Sequence, residues 1–283
     1  MNIAIIGLGL IGGSLAKTIK KHMPQHTVLG FDTNEQTMFK AKLLDAIDAE
    51  LTDERLAICD MVIVATWPKA AVDYVIAHAG SIKKGAVVTD VCGVKAAVCE
   101  PLWKIAQENG FLFVGGHPMA GMEYSGFDHA TATLFQNASM ILTPPRGTDI
   151  QTLEKLKHFW RELGFARVVI TTPENHDKVI AYTSQLAHVT SSAYIRSPFA
   201  MEHHGFSAGS FRDMTRVARL DENMWTELFD LNREPLLAEL NHLIQHLTQY
   251  RDALESQDNK TLRALLREGR ERKEIADRKG DEP

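Results

Sequence analysis

The chain has 283 residues, 45% of them apolar and 24% charged, with a formal net charge of −5 at neutral pH. That length accommodates two domains and a substantial core, and the charge balance excludes the basic footprint of a nucleic-acid-binding protein. No apolar run approaches the ~18 residues a membrane span needs, so partners are expected to include neither nucleic acid nor membrane.

Taken in order, the first apolar run, residues 3–6, predicts a strand, and the amphipathic segment 11–19 predicts a helix. Between them lies Gly7-Leu8-Gly9-Leu10-Ile11-Gly12-Gly13, the strand–turn–helix context that a dinucleotide-binding glycine motif requires. Gly7 permits the tight turn, Gly9 a close backbone approach to a pyrophosphate, and Gly12 close packing of helix on strand. The phosphates would lie at the positive helix N-terminus, over Leu10 and Ile11. Asp32 ends the second apolar run, 28–31; an acid there accepts hydrogen bonds from ribose hydroxyls and repels a 2′-phosphate, so NAD is expected over NADP. A strand at the amino terminus leaves no room for a secretory signal, and a cytoplasmic location is expected. Cys59, Cys92 and Cys99 are odd in number and lack metal-ligand spacing; they read as reduced thiols, and no metal is expected.

A helix is expected over 34–44, then a buried parallel strand over 60–66, whose β-branched run ends with Thr66 at the cofactor edge. Further strands are expected at 86–90, 111–114, 139–143 and 166–171, with helices over 94–109 and 149–163. His117, in Gly115-Gly116-His117-Pro118-Met119-Ala120-Gly121-Met122-Glu123, follows a strand directly. It is expected on a loop at the sheet's C-terminal edge, between glycines that admit a substrate, with a side chain suited to acid–base work near neutrality.

At Thr172-Pro173 the texture changes to helical periods alone, over 174–195, 211–220, 223–255 (bent at Pro235) and 259–278. Thr172 as N-cap and Pro173 at the first helical position mark a domain boundary. The expected architecture is an α/β Rossmann-type dinucleotide-binding domain, 1–172, followed by an all-α domain, 173–283. An apolar stripe through Leu236, Leu237, Leu240, Leu243, Ile244 and Leu247 suits either a core or a dimer interface. In the helical half Arg212 and Arg216 are four apart and present two forked cations on one face, suited to a dicarboxylate or to a surface ion-pair network. Ser184-Gln185-Leu186-Ala187-His188 places polar groups on an otherwise apolar helix, as a cleft lining or a satisfied core would.

Together these motifs resemble the prephenate/arogenate dehydrogenase family of tyrosine biosynthesis over nearly the whole chain. Gly7 to Ala16 resembles its opening, the segment from His117 to Glu123 its active-site loop, and Phe211-Arg212-Asp213-Met214-Thr215-Arg216-Val217-Ala218 its substrate-domain signature. The resemblance implies a helical dimerisation domain, a homodimer, and NAD-dependent oxidative decarboxylation of prephenate or arogenate. It implies His117 as the catalytic base, Arg216 on a substrate carboxylate, His188 against the substrate, and Arg212, Gln185 and Trp225 at the pocket. Two positions depart from the family pattern. Gly93, in Asp90-Val91-Cys92-Gly93-Val94-Lys95, replaces a serine that helps orient the substrate hydroxyl, and Gln185 replaces a histidine. From the residues alone, another two-domain Rossmann dehydrogenase or a nucleotide-sensing protein without turnover remains open.

Overall fold

The computed structural model describes residues 1–122 and 124–280; Glu123 of the active-site motif lies outside them. The strands are β1 (Asn2–Ile6), β2 (Thr27–Phe31), β3 (Ala49–Glu50), β4 (Met61–Val64), β5 (Val87–Asp90), β6 (Leu112–Pro118), β7 (Ser139–Thr143) and β8 (Arg167–Ile170). They form one sheet in the order β3-β2-β1-β4-β5-β6-β7-β8, parallel except for the antiparallel pair β6–β7. The helices that accompany them are α1 (Leu10–His22), α2 (Glu35–Leu43), α3 (Asp53–Leu56), α4 (Pro68–His78), α5 (Ala96–Asn109) and α6 (Ile150–Glu162).

The continuous β-branched runs form central strands because both faces are covered. Ile3 and Ile5 of β1 enter a core with Leu15 and Ile19 of α1, while Ala4 and Ile6 enter a second core with Val62, Val64, Val88, Val98 and Leu102. Burying each large aliphatic side chain contributes roughly 1.5–3 kcal/mol. The sheet's centre is therefore a rigid frame for whatever stands at its strand ends. Strand order reverses between β1 and β4, and the crevice at that switch point is where open α/β sheets bind ligands.

The expected strands and α1, α2, α5 and α6 are present within a few residues of their expected limits. The short β3 and α3 and the helix α4, which starts at Pro68, are additions to the sequence reading. After β8 the expected 174–195 helix is interrupted. It consists of α7 (Pro173–Ile180), one π turn (Ala181–Gln185) and α8 (Leu186–Tyr194). Then follow α9 (Gly209–Thr215), α10 (Glu222–Leu231), α11 (Arg233–Glu255) and α12 (Asn259–Gly280). The expected bend at Pro235 is instead a break at Asn232. Pro235 lies in the first turn of α11, where a missing N–H leaves no hydrogen bond unmade.

The chain forms two compact units, Met1–Arg233 and Glu234–Pro283. The first holds the sheet and α7 to α10, and with them every residue singled out above for chemistry. In the second, Asp258 caps α12 by accepting the Thr261 N–H at 3.0 Å and its hydroxyl at 2.6 Å. Leu237, Ile244, Leu247, Leu254, Leu266 and Ile275 of this unit are exposed. No helix among the described residues is long and apolar enough to cross a membrane.

Candidate active site

The glycine turn is shaped by contact. Gly7 has φ of +84°, and a side chain there would meet the Ala65 carbonyl at 2.5 Å. A Cβ on Gly12 would stand 1.9 Å from the Gly7 carbonyl oxygen, so nothing larger lets α1 approach β1. A Cβ on Gly9 would meet nothing within 4 Å: this glycine faces open space. Gly9 is also the N-cap of α1 and has no side-chain cap, which leaves first-turn N–H groups at Leu10 and Ile11 to an anion. Asp32 accepts the Leu8 N–H at 2.7 Å and the Asn34 N–H at 2.8 Å, one on each carboxylate oxygen. It therefore ties the glycine turn to the start of α2, and each oxygen retains a lone pair for a ribose hydroxyl. Thr66 follows β4 across the crevice, its methyl within 2.9 Å of where a Gly7 side chain would begin. This cradle fits the pyrophosphate and ribose of a dinucleotide.

His117 lies in strand, not on a loop. Leu112 to Val114 of β6 pair with β5, which ends at Asp90; Gly115 to Pro118 continue beyond that end because β7 pairs with them antiparallel, His117 opposite Ile141. The two glycines before His117 answer to packing, whereas Gly121 on its other side faces open space. A Cβ on Gly115 would meet the Thr143 hydroxyl at 2.2 Å and the Cys99 sulfur at 2.5 Å; one on Gly116 would meet the Asp90 carbonyl at 2.5 Å. A Gly-Gly-His-Pro string looks like a turn, and only the β7 partner makes it a strand.

Behind His117 stands a relay absent from the sequence reading. His117 Nδ1 is 2.8 Å from His176 Nε2, and His176 Nδ1 is 2.7 Å from Asp177 Oδ1. Asp177 also accepts the backbone N–H groups of Lys95 (2.8 Å) and Ala96 (2.9 Å), so its carboxylate is held at the N-terminus of α5. An ionised carboxylate only accepts, which assigns the protons: His176 donates from Nδ1 and accepts at Nε2, His117 donates from Nδ1, and His117 Nε2 carries a lone pair. Close to Nε2 is Gly93, where a Cβ would lie 3.9 Å from Nε2 and 3.5 Å from the Leu228 side chain of α10. The signal for the relay in sequence is a His-Asp dipeptide in the first turn after the Thr172-Pro173 cap.

Burial pushes the His117 pKa well below the ordinary imidazole range, with the charges of His176 and Lys95 acting in the same direction. His176 is also lowered, chiefly by burial, despite its hydrogen bond to Asp177. The pair is neutral at neutral pH. A base with a depressed pKa stays deprotonated as pH falls through 6.5 and is lost only on protonation further down. The kcat/KM profile is therefore expected to be flat through neutrality, with its acid limb below 6.5, belonging to the histidine pair as a unit. A limb at or above 6.5 would contradict the burial. The thiols nearby are not nucleophiles: burial raises Cys92 well above its usual range and Cys99 to about 12.

The helical residues singled out by the sequence cluster around α8 and α10. His188 and Trp225 rings are 4.0 Å apart, and His188 Nδ1 donates to the Ser184 carbonyl at 2.8 Å, so Nε2 carries the lone pair of the neutral ring. The His188 pKa is lowered by burial, and the charge of Arg216 adds to that, so this arginine acts on the same pocket. Arg212 is exposed on α9, one turn before Arg216. Trp225 and Leu228 are three apart on α10, which joins the His188 wall to Gly93 and His117. Gln185 requires a correction. It is 2% exposed, accepts from Asn232 Nδ2 at 2.7 Å and donates to the Leu228 carbonyl at 3.2 Å, so its amide is an internal tie instead of a substrate contact. Asn232, the residue at the break between α10 and α11, also donates to the Asp177 carbonyl at 2.9 Å.

A doubly wound sheet with a glycine crevice at its switch point and a histidine at a neighbouring strand end has the layout of a dinucleotide-dependent oxidoreductase. Residues 15–170 match the family model for the prephenate dehydrogenase nucleotide-binding domain, and residues 172–268 match that for the prephenate dehydrogenase dimerization domain. The chain is 36% identical over 267 residues to the cyclohexadienyl dehydrogenase of Zymomonas mobilis, covering 91% of this chain and 89% of that one. Among solved structures it is similar to the A. aeolicus prephenate dehydrogenase in complex with hydroxyphenyl propionate and NAD+ (28% identity, TM-score 0.83, 97% and 98% of the two chains). It is equally similar to Synechocystis arogenate dehydrogenase (28% identity, TM-score 0.82, 98% and 100%). The chain belongs to the prephenate dehydrogenase family.

Proposed function

We propose that the chain is an NAD-dependent prephenate dehydrogenase that converts prephenate to 4-hydroxyphenylpyruvate and carbon dioxide. The observation that carries this reading is the His117–His176–Asp177 relay, which leaves His117 Nε2 as an unprotonated base beside Gly93. Gly7, Gly9, Leu10, Ile11 and Gly12 hold the pyrophosphate of NAD, Asp32 its ribose, and Thr66 borders the nicotinamide side. When bound, NAD is the two-electron oxidant that accepts hydride from ring C4.

His117 Nε2 accepts the proton of the C4 hydroxyl as that carbon becomes a carbonyl. The C1–carboxylate bond then breaks, its electron pair enters the ring, and the resulting phenoxide takes the proton back. Proton balance is closed within the site, and the base needs no exchange with solvent. Arg216 and Arg212 pair with substrate carboxylates, and His188 with Trp225 forms the wall against which the ring lies. Arg216→Ala is expected to raise KM for prephenate about tenfold or more while KM for NAD stays within about twofold. Equal rises in both would make Arg216 a structural arginine.

Arogenate is the second reading, favoured by the extent of the likeness to the Synechocystis enzyme. The test is NADH or NADPH formation with purified protein, prephenate or arogenate, and NAD or NADP. Prephenate with NAD is expected to give the highest kcat/KM; turnover with neither acid would overturn the reading. The seam between the two family-model matches supports a functional boundary at Thr172/Pro173, with domains 1–172 and 173–283. Exposed leucines and isoleucines on α11 and α12 support a homodimer formed through the helical domain. A cytoplasmic location fits the free thiols.

A further inference from the structure

Asp90 and Lys95 are both fully buried and form an ion pair at the end of β5. Both connect to the relay. Asp90 Oδ1 accepts the N–H of Gly116, the residue before His117, at 3.1 Å, and Asp90 Oδ2 accepts the Cys92 N–H at 2.9 Å as well as the Lys95 ammonium. Lys95 donates its own backbone N–H to Asp177 at 2.8 Å. One residue thus reaches both ends of the relay: through its ammonium and Asp90 to the His117 strand, through its amide to the Asp177 carboxylate. A buried ion pair is weak evidence for stability, because desolvating two charges offsets much of their attraction. Its value here is geometric.

We propose that Lys95, acting with Asp90, is a positioning residue for His117: it fixes the separation between the strand that carries the base and the carboxylate that sets the base's tautomer. The proposal rests on the dehydrogenase reading for its kinetic consequence but not for its structural one. His176 and Lys95 act directly on His117; the other titratable groups around the relay are Asp177, bonded to His176, Asp90 with Cys92 at the end of β5, and Cys99 on α5. Of these, Lys95 is held cationic by Asp90 against the pull of burial, and its charge disfavours protonation of both histidines.

The test is the double variant D90N/K95M, which removes both charges while leaving side chains of similar volume. It is read by histidine NMR titration and by steady-state kinetics. With both charges gone, His117, which the Lys95 charge holds down, is expected to titrate higher, and the acid limb of kcat/KM to move up with it. A looser relay is expected to lower kcat about ten- to a hundredfold while KM for NAD is unchanged. Lys95→Arg, which keeps the cation and the backbone N–H but not the single-point ammonium, is expected to lose kcat with the limb near its wild-type position. A folded double variant with wild-type kcat and an unmoved His117 titration overturns the proposal. If the double variant does not fold, wild-type kcat in Lys95→Arg overturns it instead. If the unmodified enzyme oxidises neither prephenate nor arogenate, the functional reading fails, and the NMR titration still decides the positioning role.

Discussion

His117→Asn is expected to give a folded enzyme that binds NADH normally and turns over about 10²–10⁴-fold more slowly. Asparagine retains a donor toward His176 and is smaller than imidazole, so β6 and its pairing with β7 should persist. What it lacks is a second nitrogen with a lone pair where Nε2 stands. The lost rate corresponds to about 3–5 kcal/mol of transition-state stabilisation, at 1.36 kcal/mol per tenfold. Stopped-flow NADH formation, alongside an NADH binding titration, separates this from a damaged cofactor site. Near-wild-type kcat would remove His117 from the chemistry.

Asp177→Asn should be nearly as damaging, though Asp177 is two hydrogen bonds from the reacting proton. Its Oδ1 accepts from both His176 and Lys95, and its Oδ2 from Ala96. An amide cannot meet three donors. If its oxygen serves His176 and Lys95, its NH2 faces the Ala96 N–H; if it is reversed, its NH2 faces His176 and forces the other tautomer. The tautomer shift then passes along the relay: His176 Nε2 acquires the proton, His117 Nδ1 must accept, and His117 Nε2 carries hydrogen instead of a lone pair. A misassigned tautomer in an acid–histidine couple costs on the order of 10⁴ in kcat. The measurement is kcat against pH, with His117 and His176 nitrogen shifts read in parallel. Unchanged shifts together with unchanged kcat would show that the relay does not set the proton.

The sequence conveys the sheet well because its signal is local. Uninterrupted runs such as Met61–Val64 can only be strands covered on both faces, and Gly7, Gly9 and Gly12 meet the steric demands their spacing predicts. It conveys the relay poorly because a relay is a property of distant residues. His176 reads as one more polar residue on an amphipathic helix until α5 delivers the Lys95 and Ala96 amides to its neighbour. His117 shows the same limit in reverse: its loop-like sequence becomes a strand only in the presence of β7, a partner more than 20 residues on. Gln185 sits in a motif that suggests a pocket, yet its environment is decided by Asn232, a residue whose importance no local pattern carries. Local periodicity reports burial; it does not report which buried polar groups meet.

The π turn at Ala181–Gln185 has a consequence for how this site could have arisen and how it could be lost. It holds one residue more than an α turn, and each helical residue advances the azimuth by about 100°. His176 and Asp177 lie before it, His188 after it, on what is otherwise one rod. Removal of a single residue from the turn would give a smoother helix with better backbone hydrogen bonds, and would swing the substrate wall about a quarter-revolution away from the relay. The helix thus works as a gear set one tooth out of mesh, and the misfit sets how His188 is turned relative to His176 and Asp177.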